Sequence, residues 1–134
     1  MALTLDELFA RASARLTRLS AHETAAAAVR GAVLIDIRGD DQIADGGTIP
    51  GALIIARNVL EWRLAPDSDY RHPQAPGIEQ HVVIVCQEGY QSVLVAATLQ
   101  DLGFARATDL DGGFCAWRAA GLPVVLGRRC RSLA

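Results

Sequence analysis

An α/β sandwich with a mostly parallel central sheet is the fold class this sequence predicts, and three observations predict it. Short apolar runs recur at Ala32–Arg38, Leu53–Ile55 and His81–Cys86. Runs this short, apolar at consecutive positions, suit strands covered on both faces. Between them lie Ala- and Leu-rich segments with helical spacing, so strands alternate with helices. At 134 residues the chain makes one domain with a single layered core.

The elements follow in order. Thr4-Leu5-Asp6-Glu7 reads as a capping box, and Leu5, Leu8, Phe9, Ala12, Leu16 and Leu19 recur at helical spacing. Residues 1–19 are therefore expected to form an amphipathic helical extension, with Arg11, Arg15 and Arg18 on its solvated face. Ser20-Ala21-His22-Glu23 opens a second capped helix that Gly31 ends. The strand 32–38 comes next, then a polar loop from Gly39 to Gly47. Ile49-Pro50-Gly51-Ala52 turns into a second strand at 53–55, followed by a short helix over 58–64. Residues 65–80 hold three of the five prolines and make the main surface loop. Strand 82–86, helix 90–102 stopped by Gly103, strand 107–110 and helix 113–120 complete the domain, which spans 20–125. Residues 126–134 form a basic, loosely ordered tail.

Composition narrows the function. A net charge of −2 gives no reason to expect nucleic acid or a membrane surface as partner. All thirteen basic residues are arginine, which excludes Schiff-base lysine chemistry and a P-loop lysine. The three cysteines, Cys86, Cys115 and Cys130, form no CxxC pair, so no zinc knuckle or dithiol is written here. Their sparseness, an N-terminus without an export signal and the lack of an apolar stretch near ~20 residues predict a cytoplasmic protein.

Cys86 carries the chemistry. It ends an apolar strand, and Gln87-Glu88-Gly89-Tyr90-Gln91 leads from it into a helix beginning near Ser92. Backbone N–H groups and the positive helix end at such a place stabilise a thiolate. His22, His72 and His81 are scattered, and none is placed as a base beside it. Trp62 and Trp117 read as packing residues and Cys115 as a small core residue. Cys130 reads as an incidental thiol, or else as a sulfur acceptor or disulfide partner for Cys86.

Five motifs fall in one order: Asp36-Ile37-Arg38 after a strand, Ile49-Pro50-Gly51-Ala52, the loop opened by Cys86, Gly112-Gly113-Phe114-Cys115-Ala116-Trp117, and Gly121-Leu122-Pro123-Val124. Over roughly residues 20–125 the chain resembles the rhodanese domain, a family of sulfurtransferases and related binding modules. The resemblance implies a rhodanese-like three-layer sandwich and a nucleophilic Cys86. It also implies a six-residue loop, Cys86 to Gln91, whose amides from Gln87 to Ser92 cradle the sulfur. A donor such as thiosulfate or a persulfide would pass its outer sulfur to Cys86. Cyanide, a thiol or a protein thiol would then take that sulfur in a second displacement, with no metal or organic cofactor. The alternative is a non-enzymatic module that binds a partner or senses reactive sulfur. Related phosphatases have a longer loop closed by arginine, and Ser92 at that position argues against phosphate.

Two departures stand out. Many family loops end in a basic residue, whereas this one has Gln91, with Glu88 inside. Glu88 either faces the site, where it would repel a doubly charged thiosulfate, or turns outward to an arginine. Thr48 stands where family members often carry histidine and bears on local hydrogen bonding. Arg57 is the candidate anion contact, with Arg63 a weaker one, and Asp36 and Arg38 are expected to support the site structurally.

Overall fold

Alternating side chains on two adjacent strands, β1 (Val33–Asp36) and β3 (Val82–Val85), organise the computed structural model, which describes residues 2–126. Ile35, Val82, Ile84 and Cys86 point to one face, and Leu34, Val83 and Val85 to the other. Both faces are therefore apolar, as consecutive apolar positions require. The first face is covered by α4 (Leu60–Leu64) and α5 (Gln91–Asp101) through Leu60, Leu64, Val95, Ala96 and Leu99. The second is covered by α2 (Ala21–Val29) and α6 (Gly113–Ala119) through Ala21, Phe114 and Trp117. This is the three-layer sandwich expected from the sequence.

The sheet has four strands, all parallel, in the order β2-β1-β3-β4, where β2 is Leu53–Ile54 and β4 is Ala107–Asp109. The N-terminal helix α1 (Leu5–Ala14) forms a further cover on the outer side of α5, where Phe9, Ala12 and Leu16 meet Val93, Leu94 and Ala97. Helix α5 thus lies between the sheet and α1, which is why its apolar residues run around most of its surface.

Several sequence expectations need correction. The first helix ends at Ala14 rather than near residue 19. Beyond it the chain extends along β4: the Leu19 N–H donates to the Asp109 carbonyl and the Asp111 N–H to the Leu19 carbonyl. The open edge of the sheet claims that backbone, which outweighs the helical spacing of Leu16 and Leu19. Arg18 is consequently not on a solvated face but half-buried against β4. Gly39–Gly47 contains α3 (Asp40–Gly46) instead of a loop. Asp40 and Asp41 sit in its first turn, where the helix dipole favours carboxylates, although three glycines nearby mask the signal. Trp62 is 59% exposed and packs no core, whereas Trp117 is buried and donates its indole N–H to the Pro123 carbonyl. The basic tail from Arg128 and Cys130 lie outside the described residues.

Leu99, fully buried between α5 and the sheet, should report the strength of this packing. Leu99→Ala is expected to lower unfolding free energy by about 2–5 kcal/mol in a urea titration. Leu5→Ala, at a position 73% exposed, should change it by no more than ~0.5 kcal/mol.

Candidate active site

The order β2-β1-β3-β4 means that the chain leaves β1 toward one edge and returns to lay β3 on its other side. Loops leaving the carboxyl ends of β1 and β3 therefore diverge, and a crevice opens between them. Asp36 lies in register with Val85, so Asp36 and Arg38 emerge next to Cys86. The topology brings together two motifs that are almost fifty residues apart in the chain.

Cys86 is 4% exposed and sits on the floor of a depression of about 120 Å3. Of the amides from Gln87 to Ser92, those of Gly89 and Ser92 donate to its Sγ, at 3.1 and 3.4 Å. Gly89 turns the chain back over the sulfur with φ +89°. Helix α5 starts at Gln91 and adds its positive end. Both the amides and the helix end favour negative charge on the sulfur.

A second loop holds the first from behind. The Phe114 N–H donates to the Cys86 carbonyl at 2.8 Å and the Cys115 N–H to the Gln87 carbonyl at 3.0 Å. A Cβ on Gly113, whose φ is +62°, would fall on the Cys86 carbonyl oxygen and within 2.8 Å of the Gln87 carbonyl. A Cβ on Gly89 would come within 2.6 Å of the Gly112 nitrogen. The two turns meet backbone to backbone, with no space for side chains between them.

Arg38 is the most connected side chain at the site. Its guanidinium and the Asp36 carboxylate are both fully buried, with Nε–Oδ1 at 3.0 Å and Nη2–Oδ2 at 2.9 Å. It also donates to the Gly47 carbonyl at 2.5 Å and to Gln87 Oε1 at 3.2 Å, and lies 3.9 Å over the Phe114 ring. It thereby ties the end of β1, the segment after α3, the Cys86 loop and α6 together. Asp36 offsets most of its charge, so Arg38 borders the depression as a hydrogen-bonding wall more than as a free cation.

A further chain of polar contacts passes beneath the sulfur. Ser92 is fully buried; its Oγ lies 3.2 Å from Cys86 Sγ and donates to Asp109 Oδ2 at 2.6 Å. Asp109, also fully buried, accepts from Arg18 Nε and Nη2 at 2.9 and 3.0 Å. Arg18 Nη2 reaches the Gly89 carbonyl as well, at 2.7 Å. The Arg18 guanidinium is held more firmly charged, first by its hydrogen bond to Asp109; burial opposes this, while Asp109, Asp111 and Cys86 add attraction. Sequence reasoning did not find Arg18 or Asp109. The signal for Asp109 was a carboxylate in the otherwise uncharged strand Ala107-Thr108-Asp109-Leu110, which a buried strand tolerates only with a partner.

The other site residues divide. Glu88, Tyr90, Gln91 and Gln87 border the depression together with Gln42 of α3, a residue missed because α3 was expected to be a loop. Glu88 is exposed, borders the depression and makes no salt bridge among the described residues. Arg57 begins the exposed turn Arg57–Val59 and is not among the residues bordering the depression; Arg63 donates to the Tyr70 carbonyl. Cys115 is half-buried and accepts from Gln87 Nε2 at 3.5 Å. Thr48 exchanges backbone hydrogen bonds with Val125. No group of three or more metal-ligating side chains is found among the described residues, and no helix there is long and apolar enough to cross a membrane.

Comparison with known proteins agrees with this fold. The model of the rhodanese-like domain matches residues 20–120. The chain is 34% identical over 93 residues to a sulfurtransferase of Allochromatium vinosum, covering 69% of this chain and 78% of that protein. It is 37% identical over 90 residues to the thiosulfate sulfurtransferase GlpE of Pseudomonas fluorescens, covering 66% and 72%. Among solved structures, a protein of unknown function from Rhodopseudomonas palustris, described as a possible tyrosine phosphatase, superposes with a TM-score of 0.84. It is 30% identical, with 93% of this chain and 96% of that one covered.

The backbone contact behind the loop is open to direct test. Gly113→Ala should destabilise the protein by about 1–3 kcal/mol in chemical denaturation, since the added methyl forces the two turns apart. It should also speed labelling of Cys86 by a thiol reagent, because the loop that buries the sulfur loses its support.

Proposed function

The chain belongs to the rhodanese-like domain family, and from that we propose that it is a sulfurtransferase carrying sulfane sulfur on Cys86. The observation that supports this most is the pair of amides, from Gly89 and Ser92, directed at Cys86 Sγ on the floor of an open depression. The Cys86 thiolate attacks the outer sulfur of the donor. A new S–S bond forms, the donor's own bond to that sulfur breaks, and the leaving group departs with the electron pair. An acceptor then attacks the outer sulfur of the Cys86 persulfide, and the Cys86 thiolate leaves in turn. The loop amides serve both halves, because negative charge sits on or next to the same sulfur throughout. Protein groups alone carry these steps.

The charge around the mouth bears on the donor. Arg38 is matched by Asp36, while Glu88 borders the depression unpaired among the described residues. A unit charge facing a doubly negative donor ~8 Å away costs about 1 kcal/mol even in a water-like dielectric, roughly a fivefold loss. A neutral or cationic persulfide, or one held on a protein, therefore suits this mouth better than thiosulfate. The acceptor is a thiol, small or on a protein, with cyanide as its assay counterpart. The sparse cysteines suit a reducing, cytoplasmic setting. A phosphatase reading lacks support, since Ser92, with its hydroxyl turned to Asp109, occupies the position where an arginine would grip a phosphate.

Cyanide-dependent thiocyanate formation with several donors tests the proposal. The wild-type protein should gain the mass of one sulfur on Cys86 and produce thiocyanate, and Cys86→Ser should do neither. A persulfide that forms without turnover would instead indicate a reactive-sulfur sensor. Glu88→Gln should raise kcat/KM for thiosulfate roughly fivefold while leaving a neutral persulfide donor nearly unchanged.

A further inference from the structure

The hydroxyl of Ser92 has a single hydrogen, and the Asp109 carboxylate only accepts. At 2.6 Å that hydrogen points to Asp109, so Ser92 turns lone pairs toward Cys86 Sγ, 3.2 Å away. This arrangement suits a thiol, whose S–H donates to Ser92. It opposes a sulfur that is charged or has lost its hydrogen to a persulfide. The amides of Gly89 and Ser92 favour the opposite state of the same atom. The conflict is removed if the hydroxyl turns around, and turning is cheap only if Asp109 keeps other partners. Arg18 supplies them, with Nε and Nη2 on the two carboxylate oxygens.

We propose that Arg18 and Asp109 are positioning residues for Cys86. They hold a serine hydroxyl that donates to Asp109 while Cys86 is a thiol and swings to donate to the sulfur once the sulfur is charged. Ser92 keeps its own proton throughout, and the thiol proton is lost to water at the mouth. Arg18 lies before residues 20–120, the span matched by the family. The N-terminal segment of this chain therefore supplies the cation that grips Asp109, while Ser92 and Asp109 lie within the matched span. The same segment bears on the loop at two further points: Arg18 donates to the Gly89 carbonyl, and the Phe9 ring lies 6.1 Å from that of Tyr90.

Charged and titratable groups surround the sulfur on every side. Asp36 and Arg38 come from the end of β1, Glu88 and Tyr90 from the loop, Cys115 from α6, and Asp109 and Asp111 from the end of β4 with Arg18 against them. Of these, Asp109 alone has a side-chain hydrogen bond to Ser92, and Arg18 grips that carboxylate.

The proposal rests on Cys86 as the sulfur carrier, but its test needs no sulfur donor. Iodoacetamide alkylation of Cys86 is followed against pH by peptide mass spectrometry; cleavage after arginine puts each cysteine in a separate peptide. Arg18→Met pins the hydroxyl to Asp109 and removes a cation, so both effects disfavour the thiolate. The pH of half-maximal alkylation should rise by about one unit, a roughly tenfold slowing at neutral pH. In a Ser92→Ala background the same substitution should move it less than a third as far, because no hydroxyl is left to pin. If Arg18→Met does not fold by circular dichroism, the cycle is read on Arg18→Lys, whose smaller shift must shrink in the same way. Equal shifts in both backgrounds, or no shift in the wild-type background, would overturn the proposal. Loss of thiocyanate formation with the cycle intact would overturn the sulfurtransferase reading instead.

Discussion

The contact between two glycine turns underlies the architecture of the site. Gly89 and Gly112-Gly113 meet at distances that leave no space for a Cβ, and the amides of Phe114 and Cys115 take up the carbonyls of Cys86 and Gln87. With its carbonyls committed backward to α6, the loop has its Gly89 and Ser92 N–H groups free to face the sulfur. A looser junction would let those amides turn to solvent, and the cradle would cease to exist as a preorganised structure. The positive φ of Gly89 and of Gly113 is thus a condition for the chemistry as well as for the turn.

Charge at the site is arranged in two ion pairs, one fully buried and one half-buried. Asp36–Arg38 ties four segments together while adding little net field at the mouth, because both partners are fully buried and closely matched. Arg18–Asp109 lies on the other side of the sulfur and connects the N-terminal segment to Ser92. Among the described residues, the unpaired charge bordering the depression belongs to Glu88. Backbone amides therefore face the sulfur in a setting where, among the described residues, no free cation borders the depression.

Much of the fold was legible because local rules and burial agree there. The runs at 33–36 and 82–85 are apolar at nearly every position, and the structure covers them on both faces. The capping boxes at Thr4 and Ser20 form as read, each with its reciprocal hydrogen bonds. Reading failed where tertiary contacts override local preference. Leu16 and Leu19 continue a helical period, yet the free edge of β4 draws that backbone into extended pairing. Around α3, glycines hid a helix whose Gln42 reaches the depression.

The sequence alone determined that a cysteine at the end of a buried strand opens a six-residue loop before a helix, because strand, turn and helix start are local patterns. It also determined that no arginine closes that loop. Only the tertiary structure decided what surrounds the sulfur. Arg18 looked like one of three solvated arginines until β4 placed Asp109 within its reach, and Ser92 looked like a helix start until its hydroxyl lay between Asp109 and Cys86. Hydrogen bonds such as that from Arg18 to Asp109, 91 positions apart, carry no local pattern. They depend on which strands become neighbours, and that is settled by burying both faces of the sheet.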